Sequence, residues 1–281
     1  MRAVFPGIPE LVIDHQPGEL GRGASRGVPD QTWHDNDGRL VATGGLDGYV
    51  WWMHWPGLAT FSFRDAGPVT AAPVSHHKDV EIRDIFVRGV VPVVMLARGC
   101  EALHASAIAI GAAGLVALCA QSGTGKSSLA LAMTAHTGAR QVADDTLVYR
   151  VVDDQPLAVP LPFPIRVDAA ARDAVAGLQQ PSTQKAPVQS LPLRRVYQLS
   201  RDSSVDPFAP RFTPVADLRR FEVLLSHSHP FDMGPEGRQR AFHEHLLAVA
   251  RHTDVWECRF APSLAALPSL ADRLVEHITR T

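Results

Sequence analysis

The sequence predicts an α/β protein with a P-loop core, preceded by a small β-rich domain. Three observations lead to this fold class. An apolar run, a glycine-rich loop and a helix-like run follow one another over residues 114–133. Strand and helix patterns alternate from Glu101 to the end of the chain. Short strand patterns separated by turn residues occupy residues 39–99, so the expected domains are residues 1–98 and 99–281.

Composition and charge are those of an ordinary soluble globular chain. Of the 281 residues, 46% are hydrophobic and 20% are charged, and the net charge of −2 provides no basic field for nucleic acid. No apolar run approaches the roughly 20 residues of a membrane span, and the N-terminus lacks the apolar segment of a secretory signal. The cysteines Cys100, Cys119 and Cys258 show neither metal-site spacing nor a disulfide framework. We therefore expect a cytoplasmic protein with no nucleic-acid partner and no membrane partner.

The N-terminal domain is predicted to contain short strands and one helix. Residues 1–38 are rich in Gly, Pro and Asp, and we expect them to be irregular apart from one strand at Glu10–Asp14. The helix is expected at Val90–Arg98. The remaining predicted strands are Arg39–Thr43, Gly48–His54, Ala59–Arg64 and Val80–Val87.

An aromatic cluster lies within these predicted strands. Its members are Tyr49, Trp51, Trp52, Trp55, Phe61 and Phe63. Because large aromatic side chains mostly fill cores, we expect this cluster to form the core of the β-rich domain. A surface that stacks a ligand or docks a peptide is the alternative.

The C-terminal domain is predicted to begin with two strands, a loop and a helix. The strand Leu103–Ile110 precedes the strand Leu115–Cys119. The helix Lys126–Thr137 follows, ends at Gly138, and is succeeded by the strand Arg140–Ala143. The later predicted elements are strands Thr146–Val152, Ile165–Val167, Leu193–Leu199 and Val255–Phe260, helices Pro214–Ser226, Glu236–His252 and Leu267–Thr279, a short helix capped by Asp168, and a loop at Gln179–Ser190.

The loop Ala120-Gln-Ser-Gly-Thr-Gly-Lys-Ser127 has the composition and the context of a phosphate-binding P-loop. Its glycines let successive backbone N–H groups turn toward phosphate oxygens, and the helix N-terminus adds partial positive charge. Lys126 is expected to contact the β and γ phosphates, and the Ser127 hydroxyl to ligate Mg²⁺. Ala120 replaces the usual first glycine. Alanine is tolerated at this position if the φ of residue 120 is negative. The expected phosphate-binding residues are Ser122, Gly123, Thr124, Gly125, Lys126, Ser127 and Ser128.

Two acids and one histidine are the expected companions of this loop. Asp144 and Asp145 end the strand after the loop's helix, where the acids of P-loop folds lie beside the metal and the phosphates. One acid could hold the metal while the other accepts a proton, and the alternative is an ordinary polar strand-to-turn junction. His104 lies in the strand before the loop, where it could hydrogen-bond an aspartate or be a plain core histidine.

The stretch Leu103–Val148 resembles the catalytic domain of the bacterial HPr kinase/phosphorylase family. The resemblance rests on Leu103-His104, on Ser122-Gly-Thr-Gly-Lys-Ser127 and on Val142-Ala-Asp-Asp145. It implies a P-loop kinase core of the HPr kinase type that uses ATP and Mg²⁺.

The resemblance also implies roles for individual residues, since in that family a histidine and an acid pair surround the transferred phosphoryl group. His104 and Asp144 are the implied proton-handling pair. Asp145 is the implied metal-side acid, together with Ser127. Lys126 is expected to offset the charge that grows on the phosphoryl oxygens in the transition state.

Several positions depart from the family pattern. Ser128 stands where the family has an acid, and the glycine-rich signature after the acid pair is not recognisable. Ile165-Arg166 is its nearest remnant, which makes Arg166 a candidate phosphate or substrate contact. A tryptophan-rich β segment replaces the family's N-terminal domain. The chain is therefore more similar to the short relatives found with ribosomally made peptides, such as lasso-peptide precursor kinases.

The activity implied by this resemblance is ATP-dependent transfer of a phosphoryl group to a serine hydroxyl of a peptide or small protein, such as a lasso-type precursor peptide. A small-molecule kinase is one alternative, and a nucleotide-binding regulatory or chaperone module without transfer is another. Self-association into a homo-oligomer is left open.

Two histidine pairs carry a weaker signal. Residues two apart on a helix do not share a face, so His243 and His245 are poorly spaced to ligate one metal ion. We interpret both this pair and the pair His227 and His229 as surface or core histidines.

Overall fold

The computed structural model of the chain describes residues 8–15, 28–35, 37–74, 78–137, 139–161, 169, 173–174, 191–229, 231 and 236–280. Contacts divide the chain into two units. The first comprises Met1–Cys100 and Pro230–Phe242, and the second comprises Glu101–His229 and His243–Thr281. The sequence predicts a single domain boundary between residues 98 and 99, and this boundary assigns residues 230–242 to the second domain. The contacts assign them to the first unit instead.

Among the residues of the first unit that the structure describes, six strands form one sheet. They are β1 (Leu11–Ile13), β2 (Gln31–His34), β3 (Leu40–Asp47), β4 (Val50–Trp55), β5 (Ala59–Phe63) and β6 (Val69–Pro73). The sheet order is β1-β6-β5-β4-β3-β2. Strands β2 to β6 pair in antiparallel fashion with their neighbours in sequence, whereas β1 pairs in parallel with β6 at one edge. Antiparallel neighbours need only short turns, which agrees with the turn residues between these strands in the sequence.

The aromatic side chains of this sheet mostly fill the core of the unit, as predicted. The buried members are Trp51, Trp52, Trp55, Phe61 and Phe63. Tyr49 is the exception, because it lies in the turn between β3 and β4 and is 90% exposed.

The segment after β6 is helical, so the predicted strand Val80–Val87 is wrong. The segment contains α1 (Asp79–Ile85), a π-helical stretch (Phe86–Val90) and α2 (Val91–Ala97). Ile82, Phe86 and Val90 are buried at intervals of four residues, which is close to the period of a helix. Val80, which a strand would bury on the same face as Ile82, is 82% exposed.

In the described part of the second unit, nine strands form one sheet that is the framework of this unit. Its strands are β7 (Glu101–Leu103), β8 (Ala105–Ile110), β9 (Gly114–Cys119), β10 (Arg140–Ala143), β11 (Leu147–Val152), β12 (Gln155–Val159), β13 (Leu191–Arg201), β14 (Arg211–Pro214) and β15 (Asp254–Phe260). Helices that follow α2 in the described residues include α3 (Lys126–Thr137), α4 (Asp217–Ser226), α5 (Glu236–His252) and α6 (Leu267–Arg280). Helix α5 contributes its residues from His243 onward to this unit.

Strand β13 joins two parts of this sheet. Its first two residues pair with β12, which continues through β11 to β7. From Leu193 onward β13 pairs in parallel with β9 on one side, and from Arg195 onward with β15 on the other. Strands β8 and β10 extend the sheet beyond β9. The carboxyl ends of β9, β13 and β15 therefore share one edge, the position at which open α/β sheets bind ligands.

The helices α3 and α6 cover one face of this parallel region. Leu129 and Met133 of α3 and Leu270 and Leu274 of α6 are buried in one cluster with side chains of β8, β9, β13 and β15. This packing anchors the N-terminus of α3 at the carboxyl end of β9. The residues between them are therefore held at the ligand-binding edge of the sheet.

The predicted strand–loop–helix unit agrees closely with β9, α3 and β10. The strand predicted at Leu103–Ile110 is two strands, because the chain leaves β11 at His104 and continues beside β9. The sequence misses β2, β6, β12 and β14. The predictions at Gly138, Ile165–Val167, Asp168 and Gln179–Ser190 concern positions outside the described residues. Among the described residues, no helix combines the length and the apolar character that a membrane span requires.

Candidate functional site

Residues 120–125, the glycine loop, connect the end of β9 to the start of α3. Gly123 and Gly125 have φ values of 79° and 111°, which residues with a Cβ disfavour. Ala120 does not have a positive φ, so the replacement of the first glycine introduces no backbone strain. The loop thus carries glycine where its conformation requires it, next to a helix N-terminus that can receive an anion.

Replacing Gly125 with alanine is expected to destabilise the protein through the backbone rather than through a clash. A Cβ at this position would meet no atom within 4 Å, but the φ of 111° is unfavourable for alanine. We expect the free energy of unfolding in urea to fall by about 1–3 kcal/mol. Gly237→Ala is the matched control, because its Cβ would also enter open space and its helical backbone suits alanine. Equal losses in both variants would contradict a backbone cause.

Lys126 begins α3, and its ammonium group lies over the glycine loop. Nζ donates one hydrogen bond to the Ala120 carbonyl at 2.9 Å and contacts Nε2 of His104 at 2.8 Å. Only 7% of the residue is exposed. Burial lowers the pKa of Lys126, against the opposing effect of Asp145. An anion bound in the loop would offset the cost of burying this cation.

His104 lies at the break between β7 and β8 and joins Lys126 to the second aspartate. Its Nδ1 is 3.1 Å from the backbone carbonyl of Asp145, and a carbonyl can only accept, so the ring proton is on Nδ1. Nε2 is then the nitrogen that accepts the hydrogen bond from Lys126. Burial, followed by the charge of Lys126, lowers the pKa of His104. The imidazole is therefore neutral at neutral pH and adds no second cation beside the lysine.

Asp144 follows β10 and is buried against two hydroxyl groups. Its Oδ1 accepts hydrogen bonds from Ser127 and Ser106, each at 2.8 Å. The residue is 7% exposed. Ser127 and Asp144 thus bring two oxygen ligands together at the helix end of the glycine loop. This chemistry fits Mg²⁺, which prefers oxygen ligands and takes only one or two carboxylates from the protein in phosphate sites.

Asp145 directs its carboxylate toward solvent. Its φ of 66° is a left-handed conformation that aspartate tolerates better than most residues. The side chain is 78% exposed, and Oδ1 lies 3.4 Å from Nδ1 of His104. This pairing is the reverse of the sequence prediction, which placed Asp144 with His104 and Asp145 with Ser127. The turn at residue 145 separates the two carboxylates and gives each a different neighbour.

The segment after α4 brings two further histidines to His104. The backbone N–H of His104 donates to the His227 carbonyl at 2.6 Å, and that of His229 donates to the Ala102 carbonyl at 3.0 Å. The ring of His229 packs edge to face against that of His104, with 5.6 Å between centroids. The sequence interpretation treated these two histidines as surface or core residues. No spacing in the sequence connects them with His104, since only the folded chain brings the two segments together.

His227 makes the stability of the folded chain depend on pH. The residue is 8% exposed, and its Nε2 has no hydrogen-bond partner among the described residues. Burial, followed by the charge that His104 carries when it is protonated at acidic pH and by the charge of Lys126, lowers the pKa of His227 from 6.5 to about 4. On lowering the pH, the unfolded chain therefore binds this proton before the folded chain does. The folded state loses stability as the pH falls below 6.5, and the loss is complete near pH 4.

We expect His227→Gln to remove this pH dependence. The difference in unfolding free energy between neutral and acidic pH should shrink by up to about 3 kcal/mol relative to the wild type, because one pKa unit corresponds to about 1.4 kcal/mol. Urea denaturation at a series of pH values measures the effect. His34→Gln, at an exposed histidine, is the control and should retain the wild-type slope. A wild-type slope in His227→Gln would show that another group titrates.

The other predicted phosphate-binding residues lie in the glycine loop or in the first turn of α3. They are Ser122 and Gly123, which are exposed, and Thr124, Gly125 and Ser128, which are partly buried. Arg166, the predicted phosphate or substrate contact, lies outside the described residues. Among the residues that the structure describes, no group of three or more His, Cys, Asp or Glu side chains is placed to hold a metal ion.

Comparison with solved structures shows a likeness to a protein kinase/phosphatase. The match is to the structure of the Hpr(Ser) kinase/phosphatase from Coxiella burnetii, and it covers 64% of this chain and 99% of that chain. The identity is 14% and the TM-score is 0.34. No family model matches the chain, and no curated protein matches it.

Proposed function

We propose that the chain is an ATP-dependent kinase that transfers a phosphoryl group to a serine hydroxyl of a peptide or small protein. The observation that carries this proposal is the contact series Lys126–His104–Asp145, which links the cation over the glycine loop to an exposed carboxylate. Phosphate binding alone needs a cation and N–H donors, but it needs no proton acceptor beside them. The carboxylate therefore favours transfer over binding without chemistry.

The glycine loop and Lys126 are the proposed holders of the donor's phosphates. The first N–H groups of α3 have no partner within the helix, and they face the same space as the loop. Lys126 Nζ contacts the Ala120 carbonyl and His104, and a phosphate oxygen would compete with these acceptors. Its charge would offset the negative charge that grows on the phosphoryl oxygens during transfer.

Ser127 and Asp144 are the residues that would hold Mg²⁺. The Ser127 hydroxyl lies 2.8 Å from Asp144 Oδ1, so both can reach one ion. The hydrogen bond from Ser106 to the same oxygen fixes the orientation of the Asp144 carboxylate. When bound, the ion neutralises charge on the β and γ phosphates.

Asp145 is the proposed proton acceptor in the transfer step. The acceptor's hydroxyl oxygen forms a bond to the γ phosphorus while the bond from that phosphorus to the β–γ bridging oxygen breaks. The donor leaves as ADP, and the hydroxyl proton passes to the Asp145 carboxylate. His104 holds this residue through its Nδ1 proton, which it donates to the Asp145 backbone carbonyl.

This assignment exchanges the roles that the family resemblance implied for the two aspartates. Asp144 is buried and already accepts two hydroxyl hydrogen bonds, so an acceptor arriving from solution cannot readily reach it. Asp145 is exposed beside His104 and can meet an incoming hydroxyl. Burial thus suits Asp144 to the metal and exposure suits Asp145 to the acceptor.

The exposure of Asp145 also supports a peptide or protein acceptor. With 78% of its side chain in solvent, this carboxylate can be approached by a serine on a long chain. A kinase for a small alcohol would gain more from an enclosed site that excludes water. A lasso-type precursor peptide is the specific acceptor that we propose, on the sequence resemblance alone.

Incubation with ATP, Mg²⁺ and serine-containing peptides tests this function. The peptides include lasso-precursor sequences, and matched peptides with alanine in place of each serine are the control. We expect mass spectrometry to detect one added phosphoryl group on the serine peptides only, with an equal amount of ADP. Phosphorylation of a sugar or small alcohol instead would identify a small-molecule kinase. Binding of ATP without any phosphorylated product would overturn the proposed transfer.

A further inference from the structure

We propose that a cavity beside the glycine loop binds the nucleoside half of the phosphate donor, that is, its base and ribose. This inference rests on the proposed function, because it assumes that the donor's phosphates occupy the loop. It adds a second binding region, formed by residues outside the glycine loop and the first turn of α3.

The cavity lies at the carboxyl ends of β13 and β15 and has a volume of about 480 Å³. This is within the range of pockets that bind small molecules. Residues in its wall are Gln198, Ser200 and Arg201 of β13, Glu257 and Arg259 of β15, and Arg219 of α4. The cavity therefore opens at the same edge of the sheet as the glycine loop, where the parallel strand β9 ends.

Arg201 connects the cavity with the glycine loop. Its Nε donates a hydrogen bond to the Thr124 carbonyl at 3.1 Å, and the same guanidinium contributes to the cavity wall. Within the described part of the chain, no contact of Arg201 engages its two terminal nitrogens. They can therefore bind a ligand. A molecule with one end in the loop and the other in the cavity would contact this single side chain midway.

The chemistry of the wall suits a nucleoside. Guanidinium planes stack on bases and donate hydrogen bonds to them, and Arg219 and Arg259 provide two such groups besides Arg201. Carboxylates accept hydrogen bonds from ribose hydroxyls, and Glu257 lies in the wall, 3.2 Å from Arg259. Gln198 offers both a donor and an acceptor for a base edge.

The strand order separates the cavity from the acid pair. Strand β10, which precedes Asp144, lies on one side of β9, with β8 between them. Strands β13 and β15 lie on the other side of β9. If the γ phosphate is beside Asp145, the rest of the donor extends across the loop toward Arg201. The nucleoside then reaches the cavity rather than the acceptor side of the site.

Calorimetric titration of the full chain with ATP and with inorganic triphosphate, both with Mg²⁺, tests the proposal. Both ligands can fill the loop, but only ATP has a base and a ribose. We expect the wild type to bind ATP at least about tenfold more tightly, because the base and the ribose add hydrogen bonds that triphosphate cannot form. Ser200→Trp, which fills the cavity, should reduce ATP binding to the level of triphosphate and leave triphosphate binding unchanged.

A second pair of variants keeps the test decisive if the tryptophan disturbs folding. Arg219→Ala removes a cavity guanidinium, and Arg273→Ala is its matched control, because each arginine is an exposed helical residue paired with a glutamate three positions later. We expect only Arg219→Ala to weaken ATP binding, about threefold or more, with no change for triphosphate.

The titrations distinguish an error in the nucleoside cavity from an error in the proposed kinase function. Equal wild-type affinities for ATP and triphosphate, or an unchanged preference for ATP in both cavity variants, would overturn the nucleoside cavity and leave the proposed kinase intact. Failure of the wild type to bind either ligand would overturn the proposed function itself, and this inference with it.

Discussion

Asp145→Asn is expected to abolish phosphoryl transfer while nucleotide binding and stability stay close to those of the wild type. The amide has nearly the same shape as the carboxylate but cannot accept the proton of the acceptor hydroxyl, so kcat should fall about 10²–10⁴-fold. The side chain is 78% exposed, so the substitution leaves the packing of the protein unchanged. Asparagine also tolerates the left-handed backbone of residue 145, whose φ is 66°.

Asp144→Asn is the matched comparison for this variant. Its amide oxygen can still accept the hydrogen bonds of Ser127 and Ser106, but it lacks the negative charge that attracts a metal ion. We expect weaker binding of ATP with Mg²⁺ and a higher Mg²⁺ requirement, with part of kcat recovered at high Mg²⁺. Radiolabelled phosphate transfer and calorimetry distinguish the two effects. A different result would contradict this assignment: Asp145→Asn keeps the wild-type kcat, while Asp144→Asn loses kcat but binds ATP and Mg²⁺ normally. Asp144 would then be the proton acceptor and Asp145 the metal-side acid, as the family resemblance implies.

Lys126→Ala is expected to weaken nucleotide binding and to reduce transfer still further. The ammonium group lies over the glycine loop, where the phosphates are proposed to bind, and it contacts Ala120 and His104. Its removal would cost about 1.5–3 kcal/mol for each charge-assisted hydrogen bond to phosphate, or roughly tenfold or more in affinity. The loss in kcat should be larger, because the negative charge on the phosphoryl oxygens increases in the transition state.

Stability provides a second readout for this variant. Lys126 is 7% exposed and its pKa is lowered by burial, so the free protein carries a buried cation at some cost. We therefore expect Lys126→Ala to unfold at a urea concentration no lower than that of the wild type. Lys78→Ala, at a lysine with 39% side-chain exposure, should leave both binding and transfer intact. If Lys126→Ala retained phosphoryl transfer, the glycine loop would have no role in catalysis.

The elements around the glycine loop could be predicted because their signals are local. The apolar run of β9, the glycines, and the helix α3 are contiguous, and each has a composition that favours one structure. The strand β10 and the acid pair follow directly after the helix. The same approach failed for Val80–Val87, where a short run of apolar residues suits either a strand or a helix and only packing decides.

The companions of the loop could be predicted only in part. His104 is placed beside the loop by the hairpin of β8 and β9, which the turn residues between them indicate. The contacts of His227 and Arg201 with the site depend on the course of α4 and β13, and no motif in the sequence marks either residue. Both come from segments far along the chain, which reach the loop through sheet pairing and helix packing.

The sequence by itself determined that a glycine loop between a strand and a helix would hold a lysine, a serine and a following acid pair near one another. It could do so because backbone conformation over a few residues is governed by side-chain size, glycine content and hydrophobic period. Only the tertiary structure decided which aspartate faces Ser127 and which faces His104. The direction of a side chain depends on the φ of its own residue and on the strands packed beside it, and here the left-handed turn at Asp145 sends the two neighbouring carboxylates to different partners.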